Sequence, residues 1–142
     1  MPRRRLLLAV PTLVAVALAA AGCTIPTTKD GGGYGPNGQQ AARAAKQAPP
    51  VELRSGARQK LKSANSSWTP ARYVAATGTK IVLDVANTDP TQHNFTLSDL
   101  EISRNIPPDT STVVRFTAPR PGRYRFFCKY HQQEMQGWLT VR

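Results

Sequence analysis

The chain has 142 residues and a mass of 15.5 kDa, room for one domain plus an appendage but not for two full-sized domains. Nineteen Lys and Arg against eight Asp and Glu leave a net +11, a surplus that favours anionic partners in general. It is spread along the chain rather than gathered: three bases sit in Arg3 to Arg5, Lys29, Arg43 and Lys46 face only Asp30 between Thr24 and Pro50, and thirteen bases meet seven acids from Val51 onward. No nucleic-acid motif accompanies the charge, so a nucleic-acid partner is not expected.

In chain order, Arg3-Arg4-Arg5 precedes an uncharged run from Leu6 to Gly22 that is rich in Leu, Ala and Val and ends in small residues. A charged start, an apolar middle and a small-residue end read as an export signal. The run is marginal for a membrane span, which needs about 20 apolar residues, and Pro11 interrupts it. Ala20-Ala21-Gly22-Cys23 resembles the lipobox of bacterial lipoproteins, with Ala20 where that family usually has Leu. The resemblance implies a signal peptide over 1–22, cleavage before Cys23 and a lipid on its thiol, with each buried methylene contributing about 0.8 kcal/mol to membrane binding. The mature chain would then carry 11 − 3 = +8 and sit on the extracytoplasmic face of a cell membrane, in the periplasm or at the cell surface.

Residues 23–50 turn to Gly, Pro, Gln and Ala, including Gly31-Gly32-Gly33 and Pro49-Pro50, a composition that reads as a flexible tether. Gln39 to Gln47 holds helix formers but no apolar face to dock. Nine of the ten aromatic residues lie beyond Leu53 and place the folded core in 51–142.

There the chain reads as strands separated by turns. Lys80 to Ala86 alternates Ile81, Leu83 and Val85 on one face, and Asn87-Thr88-Asp89-Pro90 ends it as a turn. Asn94 to Leu97 is a short strand with His93, Phe95 and Leu97 on a common side. After the breaker Ile106-Pro107-Pro108-Asp109, Thr112 to Thr117 points Val114 and Phe116 inward. Arg123 to Cys128 sets Tyr124, Phe126 and Cys128 on one face and Arg123, Arg125, Phe127 and Lys129 on the other, and Gly137 to Val141 closes with Leu139 and Val141 inward. Short strands divided by Pro and Gly indicate an all-β sandwich or small barrel.

Chemistry gathers at the end of the domain. Cys128, His131 and Met135 fall within eight residues, and His93 lies upstream. These are the only two histidines, the only cysteine in 51–142 and the only methionine besides the initiator. Singly, each has an ordinary structural explanation: a buried small hydrophobe, core filler, a surface imidazole. Together, two imidazoles and a thiolate with a long axial thioether form the ligand set of a blue-copper site.

Gly122-Arg123-Tyr124-Arg125-Phe126-Phe127-Cys128-Lys129-Tyr130-His131, continued by Met135-Gln136-Gly137, is similar to the signature of the cupredoxins. The upstream pair His93-Asn94 resembles the family's ligand histidine and the asparagine that braces its loops and thiolate. The similarity runs from about Trp68 to Arg142. It implies a Greek-key β-sandwich with one copper ion, cycling between Cu(I) and Cu(II), held by His93, Cys128 and His131 with Met135 axial and Asn94 supporting. The related binuclear domain of cytochrome oxidase subunit II needs a second loop cysteine, which this chain lacks. If Met135 cannot reach, Glu134 or water would coordinate in a tetragonal site.

The expected function is one-electron transfer by a monomer lipid-anchored through Cys23 and served by a redox partner protein. Copper sequestration or delivery to an oxidase, and a metal-free structural module, are the alternatives. An enzyme is not expected: no Ser/His/Asp set or paired carboxylates stand out, and four side-chain ligands leave no open position on the metal.

Overall fold

The computed structural model describes residues 36–142, in which two β-sheets share one apolar core. The expected signal peptide over 1–22 and the expected lipid site at Cys23 lie outside the described residues. A helix, α1 (Pro36–Gln47), leads into β1 (Val51–Glu52), β2 (Arg58–Ala64), β3 (Ser67–Thr69), β4 (Arg72–Ala75) and β5 (Lys80–Asn87). Then follow β6 (His93–Leu97), a 3-10 turn (Ser98–Leu100), β7 (Ile102–Ile106), β8 (Ser111–Thr117), β9 (Gly122–Phe127) and β10 (Gln136–Val141).

One sheet has the order β1-β4-β10-β9-β6-β7 and the other β3-β2-β5-β8. The chain crosses between them twice around the centre of the domain, leaving β5 for β6 and β7 and returning to pair β8 antiparallel with β5. Each strand expected from alternation is present. In β5, Ile81, Leu83 and Val85 are buried while the residues between them are only partly so, as a strand with one face on the core requires. Leu139 and Val141 of β10 and Val114 of β8 are buried likewise.

The stretch expected to be a tether without a docking face carries α1 instead. Alanine is the best helix former, and Ala45 supplies enough apolar surface for the helix to pack against β3 with that side chain buried. Beyond its end, the Arg72 guanidinium donates to the Ala48 carbonyl (3.4 Å). Order among the described residues thus begins ahead of Val51.

An aromatic stack holds the two strands that matter most for the site. Phe95 of β6 stacks on Phe126 of β9 (centroids 5.7 Å apart, planes at 25°), with Trp68 edge-on to Phe95 at 6.2 Å and Tyr73 tilted against Phe126 at 6.0 Å. Offset and edge contacts of this kind add about 0.5–1.5 kcal/mol each beyond their buried area. Phe126 lies directly over Gly137, where a Cβ would come within 2.2 Å of the ring. Position 137 therefore admits only glycine without a shift of the stack.

Candidate metal centre

Phe95 follows His93 by two residues and Phe126 precedes Cys128 by two, so the stacked pair sits one alternation step from each donor and fixes their strands side by side. Pairing of Thr96 with Phe127 aligns β6 and β9. Beyond Phe127 the chain forms a tight loop and returns as β10. Three main-chain hydrogen bonds close it: Cys128 N–H to the Met135 carbonyl (2.9 Å), His131 N–H to the Cys128 carbonyl (3.1 Å) and Met135 N–H to the His131 carbonyl (2.9 Å). The spacing of Cys128, His131 and Met135 is thereby a property of the backbone.

Nδ1 of His93 and Nδ1 of His131 each lie 3.8 Å from Cys128 Sγ. The ligand atoms of the three residues all fall within 4.8 Å of one another, and the two imidazole rings meet edge-on at 5.2 Å. His93, Cys128 and Met135 are fully buried and His131 is partly exposed. Glu134 is exposed and is not among the converging donors. A soft thiol flanked by two imidazoles suits a transition metal such as copper, and a buried donor set with one partly exposed imidazole limits water at the ion.

Asn94 is buried beside His93, and its brace runs within the sheet. Its amide donates to Ser103 Oγ (3.1 Å) and Asn105 Oδ1 (3.0 Å) on β7, and its carbonyl oxygen accepts from Thr96 Oγ1. The partner sequence reasoning missed is Asp89. Its Oδ2 lies 2.8 Å from Nε2 of His93, on the side of the ring away from the thiol. An acid four residues before an inward-facing histidine was the available signal, but Asn87-Thr88-Asp89-Pro90 reads first as a turn.

Burial pushes the Asp89 carboxyl up, but hydrogen bonds from Asn65 N–H, Ser66 N–H, His93 and Ser63 outweigh it and hold the group below the ordinary carboxylate value. For His93 burial dominates and lowers the pKa; Asp89 opposes that and the nearby His131 adds to it. His93 is therefore held neutral, the state in which one ring nitrogen keeps a lone pair for a metal.

The bases read onto the outward face of Arg123 to Cys128 and just beyond it are aromatic-backed. The Arg123 guanidinium lies 4.2 Å over Trp138, Arg125 lies 4.8 Å over Phe127 and Lys129 Nζ lies 5.0 Å over Tyr130. Arg125 also donates to the Gln132 carbonyl (2.5 Å), which ties this face to the ligand loop.

Known proteins show the same architecture. The family model described as a cupredoxin-like domain matches residues 38–141. An uncharacterized protein of Rickettsia prowazekii is 33% identical over 63 residues, 44% of this chain; the chain spans half the length of that relative. The metal-binding domain of the Cu(I)-exporting P-type ATPase CopA of Streptococcus pneumoniae, solved with Cu(I), superposes with a TM-score of 0.57 at 19% identity, covering 67% of this chain and 99% of that one. Reduced auracyanin of Roseiflexus castenholzii superposes at 0.53 and 22% identity, covering 62% and 98%.

Proposed function

The chain belongs to the cupredoxin-like family, and on that premise we propose that it is a mononuclear copper protein that carries one electron, anchored by a lipid on Cys23 at the extracytoplasmic face of a cell membrane. The observation that supports this reading is the convergence of His93 Nδ1, Cys128 Sγ and His131 at the closed end of the β9–β10 hairpin. In it, His93, Cys128 and His131 would hold the metal, and the buried Met135 at the neck of the same loop would be a further donor. Bound copper would supply a Cu(I)/Cu(II) couple at this position.

The chain's own residues suit them to that task. Main-chain bonds fix the loop without help from a metal, so the donors need little rearrangement between oxidation states. Burial of Cys128 and His93 keeps water away and, with Asp89 behind it, His93 stays neutral and oriented. His131 is the donor nearest solvent, which makes its edge the natural point of electron entry and exit. Arg125, tied to the Gln132 carbonyl next to His131, and Lys129, two residues before it, carry aromatic-backed positive charge in the same loop region and suit an acidic redox partner.

A second reading, copper sequestration or delivery, is favoured by the likeness to the pneumococcal Cu(I)-exporter domain. The two separate on redox behaviour. A carrier gives a reversible one-electron wave and retains copper against a chelator in both oxidation states. A copper-handling protein surrenders Cu(I) to a chelator at modest concentration, and that result would overturn the carrier reading.

A further inference from the structure

Asp89 is built into the molecule more elaborately than a turn residue needs. Its Oδ1 accepts from Asn65 N–H (2.7 Å), and its Oδ2 accepts from Ser66 N–H (3.1 Å) and Ser63 Oγ (3.1 Å). Asn65 and Ser66 both have left-handed backbones, with φ of 53° and 52°, an arrangement that turns successive N–H groups toward one anion. The tip of the β2–β3 hairpin, more than twenty residues away in sequence, is thus shaped around this carboxylate. Asn87 completes the cradle: its Oδ1 accepts from Asp89 N–H (3.0 Å), and its amide donates to the carbonyls of Thr91, Ile106 and Pro107 at 2.8 to 3.1 Å. The only group in this cradle that leads to the centre is His93 Nε2, at 2.8 Å, and the Asp89 side chain is only 13% exposed.

We propose that Asp89 is a positioning residue that accepts the Nε2–H of His93, fixes the tautomer whose Nδ1 lone pair faces the Cys128 thiolate, and strengthens His93 as a donor toward Cu(II). The proposal rests on the copper reading above. A neutral imidazole has one N–H and one lone pair, and an ionised carboxylate only accepts. With the proton on Nε2, the lone pair falls on Nδ1, the nitrogen that lies 3.8 Å from Cys128 Sγ. A neutral acceptor would orient the ring as well. A carboxylate also puts negative charge behind it, and such partners raise ligand basicity, at a cost of about 10–100-fold in metal affinity when removed. Stronger donation favours Cu(II) over Cu(I) and lowers the reduction potential.

The test is made on the purified protein and on the variants Asp89→Asn, Asp89→Glu and Thr88→Ala. Thr88 Oγ1 donates to the Ser63 carbonyl (2.7 Å), so its loss loosens the same junction while keeping the charge. Imidazole ¹⁵N spectra of the metal-free protein should show His93 as the Nε2–H tautomer, with a mixture in Asp89→Asn, whose amide can donate to Nε2 as well as accept from it. The copper-loaded amide variant should favour Cu(I) by about tenfold more, or 59 mV for one electron. Asp89→Glu should recover part of that shift and Thr88→Ala should show none. If the amide variant does not fold, Asp89→Ser carries the same expectation. An unchanged tautomer and potential in the variant without the charge, or an equal shift in Thr88→Ala, overturns the proposal. A wild-type protein that binds no copper overturns the copper reading and with it the effect on potential. The tautomer, measured without metal, still decides whether Asp89 sets the ring.

Discussion

Met135 and Cys128 face each other across the neck of the ligand loop, joined by the hydrogen bond from the Cys128 N–H to the Met135 carbonyl. A further donor, even a weak one, stabilises the more highly charged Cu(II) more than Cu(I), so Met135→Leu should raise the reduction potential if the sulfur ligates; an unchanged potential would remove it from the ligand set. Acid sensitivity at this scale has a definite sign. The folded pKa of His93 is depressed below 6.5 and that of Asp89 below 3.8. Each therefore contributes stability present above its unfolded value and lost as pH falls through its folded value. The metal-free protein should lose thermal stability on acidification from about pH 6.5, less so in His93→Gln; a midpoint flat with pH would contradict the burial of a neutral His93. Cys128 and His131, which the structure brings together with His93, could be picked out in the sequence because their residue types and spacing are local. Asp89 could not, because what makes it functional is the hairpin tip that encloses it from a distant part of the chain.

At the scale of elements, the β9–β10 hairpin is the part that carries the loop, and Gly137 is its tightest point. A Cβ there would meet the Phe126 ring at 2.2 Å and the Ala71 carbonyl at 2.6 Å. Overpacking costs about 1–3 kcal/mol and sometimes more. Gly137→Ala should therefore lower the unfolding free energy measured in urea by that amount and weaken copper binding, since Phe126 and Phe95 hold both ligand strands. An alanine variant as stable as wild type would show that the stack does not bear on the site.

Strands β5, β8, β9 and β10 could be read from alternating apolar residues because each has one face on the core. In contrast, β2 turns Leu61 and a buried serine, Ser63, inward, and β7 has apolar residues only at its ends, so neither has a periodic signal. β1 and β4 owe their order to parallel pairing that links β1 to β4 and β4 to β10, near the far end of the chain. Parallel pairing over such separation leaves no local pattern. The helix escaped because, among its described side chains, Ala45 is the buried one, and one small residue leaves no apolar period to read.

At the scale of the whole molecule, part of the basic surplus meets on one surface. Arg72, Arg123 and Trp138 border two adjoining grooves of about 280 and 300 Å³ on the outer face of the larger sheet, with Lys46 of α1 at the rim of the first. Among the described residues, no acid lines either groove. Charge of one sign steers association by about 10- to 1,000-fold at low salt and is screened beyond roughly 10 Å at 0.1 M. If it binds copper, the loaded protein should therefore react faster with an anionic small-molecule reductant than with a cationic one of equal driving force, and the advantage should fade with added salt and in Arg123→Glu. Equal rates at low salt would leave the basic face without a role in electron transfer.

That steering matters only if Cys128 binds copper as a thiolate, and this is settled by the visible spectrum of the metal-free protein as Cu(II) is added. One equivalent should produce an intense red absorption from thiolate-to-copper charge transfer, absent in Cys128→Ser. Copper binding without that band, or a band that survives in Cys128→Ser, would contradict the assignment.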